Sequence, residues 1–152
     1  MTELDDQIAQ NRKELERRPP GNTGRAVALF NLAASLHEKI LETKDIADSE
    51  EAIALHRSAL DVCPAGHSYR LDSLYNLALC FSNRDNKQST IADLEDAITF
   101  SGGALELRSP GYSGRARTLN NLGDAMGRKF LKFGASSDLD EAILLHQSAL
   151  AL

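Results

Sequence analysis

Leu29, Leu32, Ala33, Leu36 and Ile40 follow one another at i, i+3, i+4, i+7 and i+11, the spacing that lines one face of an α-helix. Leu119, Leu122, Gly123, Met126 and Phe130 repeat it. Between them Leu74, Leu77, Ala78 and Phe81 start the same stripe and then meet Asp85 in a polar run, so this helix is expected to end or fray early. A second stripe follows each of the first: Ala52, Ile53, His56, Ala59, Leu60; then Ala97, Ile98, Ser101, Ala104, Leu105; then Ala142, Ile143, His146, Ala149, Leu150. The small residues recur at two slots, where they let helices approach closely. The pattern predicts pairs of amphipathic helices and no strand.

The pairs are copies of one another. The stretch from Asp138 to Leu150 recurs from Asp93 and from Asp48, and 138 − 93 = 93 − 48 = 45. The same step carries Asn31 to Asn76 to Asn121 and Arg25 to Arg70 to Arg115. A fixed period of this size marks a stacked repeat array, whose core is a seam shared by neighbours. Residues 20–64, 65–109 and 110–152 are then three repeats of a single domain. Residues 1–19 hold a preceding helix at 3–16, in which Leu4, Ile8 and Leu15 keep the pattern while Gln10, Asn11 and Glu14 stand where the next copy has Leu55, His56 and Ala59. Half its apolar face has become wettable, as a terminal cap requires, and Pro19 and Pro20 end it. The last helix keeps the full pattern up to Leu152, so further repeats or a second copy of the chain are expected against it.

Helix ends are written in the same rhythm. Thr23, Ser68 and Ser113 are candidate N-caps of the first helices. The second helices are expected to start near Asp48, Asp93 and Asp138, with Glu51, Asp96 and Glu141 at capping-box distance. Gly134 suits a left-handed stop. Gly102 and Gly103 fall inside the middle repeat's second helix, where each costs about 1 kcal/mol relative to alanine. The middle repeat is therefore expected to be the weakest. Arg25, Arg70 and Arg115 oppose the dipole of the helices they open, and a salt bridge to acidic residues of an adjacent second helix is the expected compensation.

Charge and composition narrow the function. The 152 residues carry 17 basic and 22 acidic side chains, a net charge of −5, with the charges scattered. That disfavours a nucleic-acid partner, which needs a clustered basic face. Cys63 and Cys80 form no Cys-x-x-Cys or disulfide framework, and no apolar run reaches membrane-spanning length. The expectation is a cytoplasmic or nuclear protein without a membrane partner.

Candidate chemistry is sparse. His56 and His146 share a repeat phase, but two repeats apart they are separated by four helix spacings of roughly 8–10 Å, beyond metal-ligand reach. Both lie on an apolar stripe and read as packed or half-buried, while His37 and His67 read as surface residues. The glycine-rich runs at 20–24 and 110–114 lack the strand and Lys-Ser/Thr of a phosphate loop. No nucleophile–base pair can be assembled. No metal, cofactor or catalytic site is expected, and the chain is expected not to be an enzyme.

Leu29-Phe-Asn-Leu-Ala33, Leu74-Tyr-Asn-Leu-Ala78 and Leu119-Asn-Asn-Leu-Gly123, with Glu51-Ala-Ile53, Ala59 and Pro64, resemble the core of the tetratricopeptide repeat (TPR). The period is longer than that family's usual 34 residues or so. The long repeat and its Asn-Asn-Leu flavour are similar to kinesin light chain-like arrays and to the fungal TPR tracts ahead of caspase-like (CHAT) peptidase domains. Departures are Ser101-Gly-Gly103, the lack of a proline at Ser109, and no aromatic at 56, 101 or 146. The resemblance implies an all-α, right-handed superhelical α-solenoid of antiparallel helix pairs, about three and a half repeats long.

It also implies a concave groove that binds an extended peptide or a helix. Asn31, Asn76 and Asn121 fall at a groove-facing phase, where an amide offers both a donor and an acceptor to a peptide backbone. The other role open to them is tying each helix to a neighbouring loop. Tyr75, Asn120, Asp124, Arg117 and Arg128 fall at further groove-facing phases, the arginines favouring acidic ligands. The expected function is a non-catalytic protein-interaction scaffold. The alternative is a regulatory or self-assembly segment of a larger protein whose catalytic part lies elsewhere.

Overall fold

A computed structural model describes residues 1–82 and 89–152. Those residues form seven α-helices and no strand: α1 (Glu3–Glu16), α2 (Arg25–Thr43), α3 (Ile46–Val62), α4 (Ser68–Ser82), α5 (Ile91–Leu107), α6 (Arg115–Phe133) and α7 (Ser136–Leu150). The chain is all-α, as its periodicity predicts. The early end expected near Asp85 lies outside the described residues. The chain divides into two compact units, Met1–Asn76 and Leu77–Leu152, with α4 beginning in the first and finishing in the second.

In the first unit α1 packs on α2 and α2 on α3. Leu32 and Leu36 are 2% and 1% exposed, and Ala52 and Ala59, at the two small slots, are buried where α3 packs on α2. Each buried leucine contributes about 1.5–3 kcal/mol of apolar transfer. Asn11, one of the polar replacements on α1, turns inward: its Nδ2 donates to the Asn31 carbonyl at 3.2 Å and to Ser35 Oγ at 2.9 Å.

In the second unit α5 packs on α6 and α6 on α7 around Leu94, Ala97, Leu119, Ala142, Leu145 and Ala149. This copy is less fully covered. Leu122, Met126 and Phe130 are half-buried where Leu32, Leu36 and Ile40 are buried. On α7, Ile143 and Leu150 are 47% and 88% exposed.

Several local expectations need correction. The N-caps of α2 and α6 are Gly24 and Gly114, with no side-chain cap, one residue past Thr23 and Ser113. A Cβ at either glycine would collide with a guanidinium, that of Arg18 or Arg108, and the Gly24 amide is already taken by Asn22 Oδ1 at 2.9 Å. Ser68 is the first residue of α4, where His67 Nδ1 accepts the Tyr69 amide at 3.3 Å. The second helices start a turn earlier than expected. Asp45 and Thr90 are the caps of α3 and α5, Thr90 pairing with Asp93 in a capping box, while Ala135 precedes α7 without a side-chain cap. Asp48, Asp93 and Asp138 are therefore first-turn acids, where the helix dipole favours them. Gly134 does terminate α6 in the left-handed region, at φ 81°.

The recurring arginines do not form the expected salt bridges to a second helix. Arg25 Nη1 donates to the Arg18 carbonyl, Arg70 Nη1 to those of Leu60 and Cys63 at 3.4 and 3.5 Å, and Arg115 Nη1 to those of Leu105 and Arg108 at 3.1 and 2.6 Å. The cation answers carbonyls at or just past the end of the preceding helix, where the dipole is negative. His37 is also reassigned, from surface to interior, at 8% exposure.

A lysine bridge recurs in both units. Lys39 Nζ lies 3.3 Å from Asp5 Oδ1 and 3.6 Å from Asp48 Oδ2, joining α1, α2 and α3. Two periods later Lys129 Nζ lies 3.9 Å from Glu95 Oε1 and 3.8 Å from Asp138 Oδ2, joining α5, α6 and α7. The Asp5 and Asp48 carboxylates raise the Lys39 ammonium above its ordinary value, the hydrogen bond to Asp5 first.

Candidate functional site

The second unit carries a groove of about 510 Å³ between the end of α4, one face of α6 and one face of α7. Asn121, Asp124 and Arg128 line it from α6 at i, i+3 and i+7, and Leu139, Ile143 and His146 line it from α7 at i, i+4 and i+7. Helical spacing thus turns each set toward the same space. Leu79 and Ser82 close one side. Leu131, Leu139 and Ile143 are 82%, 37% and 47% exposed, an apolar margin beside the polar floor.

His146 organises that floor. Its Nδ1 lies 3.1 Å from Asn120 Oδ1 and its Nε2 lies 3.4 Å from Asp124 Oδ1, which places the ring between two oxygen-bearing side chains of α6. The ring lies against Gly123, where a Cβ would sit 2.8 Å from Nε2. Alanines occupy the matching positions 33 and 78. Arg128 Nη1 donates to the Ser82 carbonyl, which anchors the guanidinium to the α4 wall. Asn121 Nδ2 is shielded from solvent and has no hydrogen-bond partner among the described residues.

Of the sequence-derived candidates, Asn121, Asp124 and Arg128 line this groove, and Asn120 joins it through His146. Arg117 is exposed and is not among the lining residues. Asn31, Asn76 and Tyr75 belong to the first unit, Asn31 exposed and the other two half-buried. His146 and Gly123 were not recognised from sequence as a pair. The available signal was the third copy's exchange of alanine for glycine at 123 together with a histidine at 146.

His56, at the same phase as His146, has a different setting. It is fully buried, its ring meeting Phe30 edge-on at 5.8 Å, and neither ring nitrogen has a hydrogen-bond partner among the described residues. Burial, with the nearby His37 imidazole adding to it, pushes its pKa down to about 3. Burial also lowers that of His37. Cys63 and Cys80 are buried free thiols, and burial raises that of Cys63. Among the described residues no three His, Cys, Asp or Glu groups are placed to hold a metal ion, and no helix is long and apolar enough to cross a membrane.

No protein-family model matches the chain, and no curated protein matches it.

Proposed function

We propose that the chain is a non-catalytic interaction module, a TPR-like solenoid acting in the cytoplasm or nucleus, whose second-unit groove takes an extended peptide or a helix. The carrying observation is a groove that sets the charged Asp124 and Arg128 beside the exposed apolar margin of Leu139 and Ile143. Leu139 and Ile143 supply apolar contact, while Asp124 and Arg128 offer one charge of each sign for selectivity. The solenoid reading draws support from the arginine–carbonyl bonds, which recur at the period of the sequence, and from the lysine bridge, which recurs at twice that period.

The test is peptide-library capture by the native chain, by Asn76→Ala plus Asn121→Ala, and by Asp124→Asn. Loss of captured peptides with the double variant and altered charge preference with Asp124→Asn support the reading. Unchanged capture by both variants removes it.

A second reading, a self-assembly or regulatory segment of a larger protein, is favoured by the exposure of Ile143, Leu144 and Leu150 on α7. Sedimentation at two concentrations separates the two, since a monomer at both argues against self-pairing.

A further inference from the structure

The three-helix sets α1–α2–α3 and α5–α6–α7 share several matching side chains two periods apart, and among the positions where they differ is 12 against 102. Lys39 and Lys129 make the same bridge in each. In the first set Arg12, one turn beyond Ile8 on α1, reaches across to α3. Its Nη1 meets Glu51 Oε1 and its Nη2 lies 2.7 Å from Oε2, a two-pronged pair. Those bonds hold the Glu51 carboxyl below its ordinary range.

In the second set the residue one turn beyond Ile98 is Gly102, where a Cβ would meet nothing within 4 Å. The counterpart of Glu51 is Glu141, which is exposed and has no cationic partner among the described residues. Between α5, α6 and α7 lies a cavity of about 400 Å³, with Ile98, Leu122, Met126 and Leu145 as apolar wall and Asp138 and Glu141 at its acidic end. Asp138 is 8% exposed, and its Oδ2 accepts no hydrogen bond among the described residues, Lys129 Nζ standing off at 3.8 Å.

We propose that this cavity receives an arginine side chain from a partner polypeptide, its aliphatic stem along Ile98, Leu122 and Met126 and its guanidinium on Glu141, as Arg12 sits on Glu51. The chain's own first set is the template for the missing group. A guanidinium presents the fork that a carboxylate accepts in two bonds, whereas an ammonium is a point charge. The lining holds two carboxylates and no cationic side chain, and Lys129 stands 3.8 Å from Asp138, which leaves Glu141 as the carboxylate open to a guanidinium. The inference uses residues outside the α4–α6–α7 groove and does not rest on the function proposed for it.

The experiment is an amide-resolved NMR titration of the whole chain with N-acetyl-L-arginine N-methylamide, its citrulline analogue and free L-arginine. The arginine amide is expected to give saturable shifts confined to Gly102, Glu141 and Leu145 and their neighbours. The uncharged citrulline analogue, and the arginine amide on Glu141→Gln, are expected to bind about tenfold more weakly or not at all, the loss of a charge-assisted pair. Gly102→Arg supplies the group in cis and is expected to abolish the response without lowering the unfolding temperature. Equal binding of citrulline, undiminished binding by a folded Glu141→Gln variant, an undiminished response in folded Gly102→Arg, or shifts centred elsewhere would each overturn the assignment. Free L-arginine binding as tightly as the amide would overturn the polypeptide source.

Discussion

Arg115 Nη1 lies 2.6 Å from the carbonyl of Arg108 and 3.1 Å from that of Leu105, so the cation that opens α6 closes α5. Hydrogen bonds to a charged group contribute about 1.5–3 kcal/mol. Replacing Arg115 with methionine, which keeps the apolar stem, is expected to lower stability by about that amount in urea denaturation. Arg115→Lys should recover only part of the loss, since an ammonium is more strongly hydrated than a guanidinium and costs more to bring from water against the two carbonyls.

Lys44 and Gly134 hold the same left-handed conformation at the ends of α2 and α6, with φ of 59° and 81°. A side chain there costs about 1–2 kcal/mol, part of which glycine's larger unfolded-state freedom offsets. Lys44→Gly is therefore expected to stabilise the chain by about 0.5–1 kcal/mol, and Gly134→Ala to destabilise it by about 1 kcal/mol or more. Paired urea denaturation curves check both signs.

The buried His56 makes stability depend on pH. Its folded pKa, about 3, lies below the ordinary 6.5, so between those values the unfolded chain binds a proton that the folded chain does not. Stability is full above about pH 6.5 and declines as the pH falls toward 3, by on the order of a few kcal/mol. His37, shifted the same way, adds to the slope. His56→Leu should flatten the pH dependence between 6 and 4, measured by urea midpoints. An unchanged slope would place the titration elsewhere.

The helix α5 runs without a break through Gly102 and Gly103. Continuity does not remove the entropic cost of two glycines. Amides of α5 are expected to exchange faster than those of α3 and α7 in native-state hydrogen exchange. Gly102→Ala, whose Cβ meets no neighbour, should slow that exchange and raise stability by about 0.5–1 kcal/mol. Equal protection in all three helices would remove the weak-middle argument.

Helix number, phase and interior faces were readable because a stripe such as Leu29, Leu32, Leu36 and Ile40 has one arrangement that buries it. The residues at helix ends were less legible. Thr23 and Asp48 each have the right chemistry for a cap, but the Gly24 amide is taken by Asn22 and the cap of α3 is already filled by Asp45. The candidate site was partly legible. Repeat phase singled out Asn121, Asp124 and Arg128, which share a groove, but it could not separate them from Arg117, which lies outside it.

The sequence by itself determined an all-α chain of amphipathic helices, because a periodicity of apolar residues is a local property that each helix carries alone. What the tertiary structure decided was pairing across helices. The recurring arginines 25, 70 and 115 went to carbonyls rather than carboxylates, Lys39 and Lys129 each joined three helices, His56 was buried while His146 came to stand over Gly123, and Arg12 reached Glu51 while Gly102 offers Glu141 no such partner. Such choices depend on which long side chain reaches which group through space, and a one-dimensional pattern does not contain that distance.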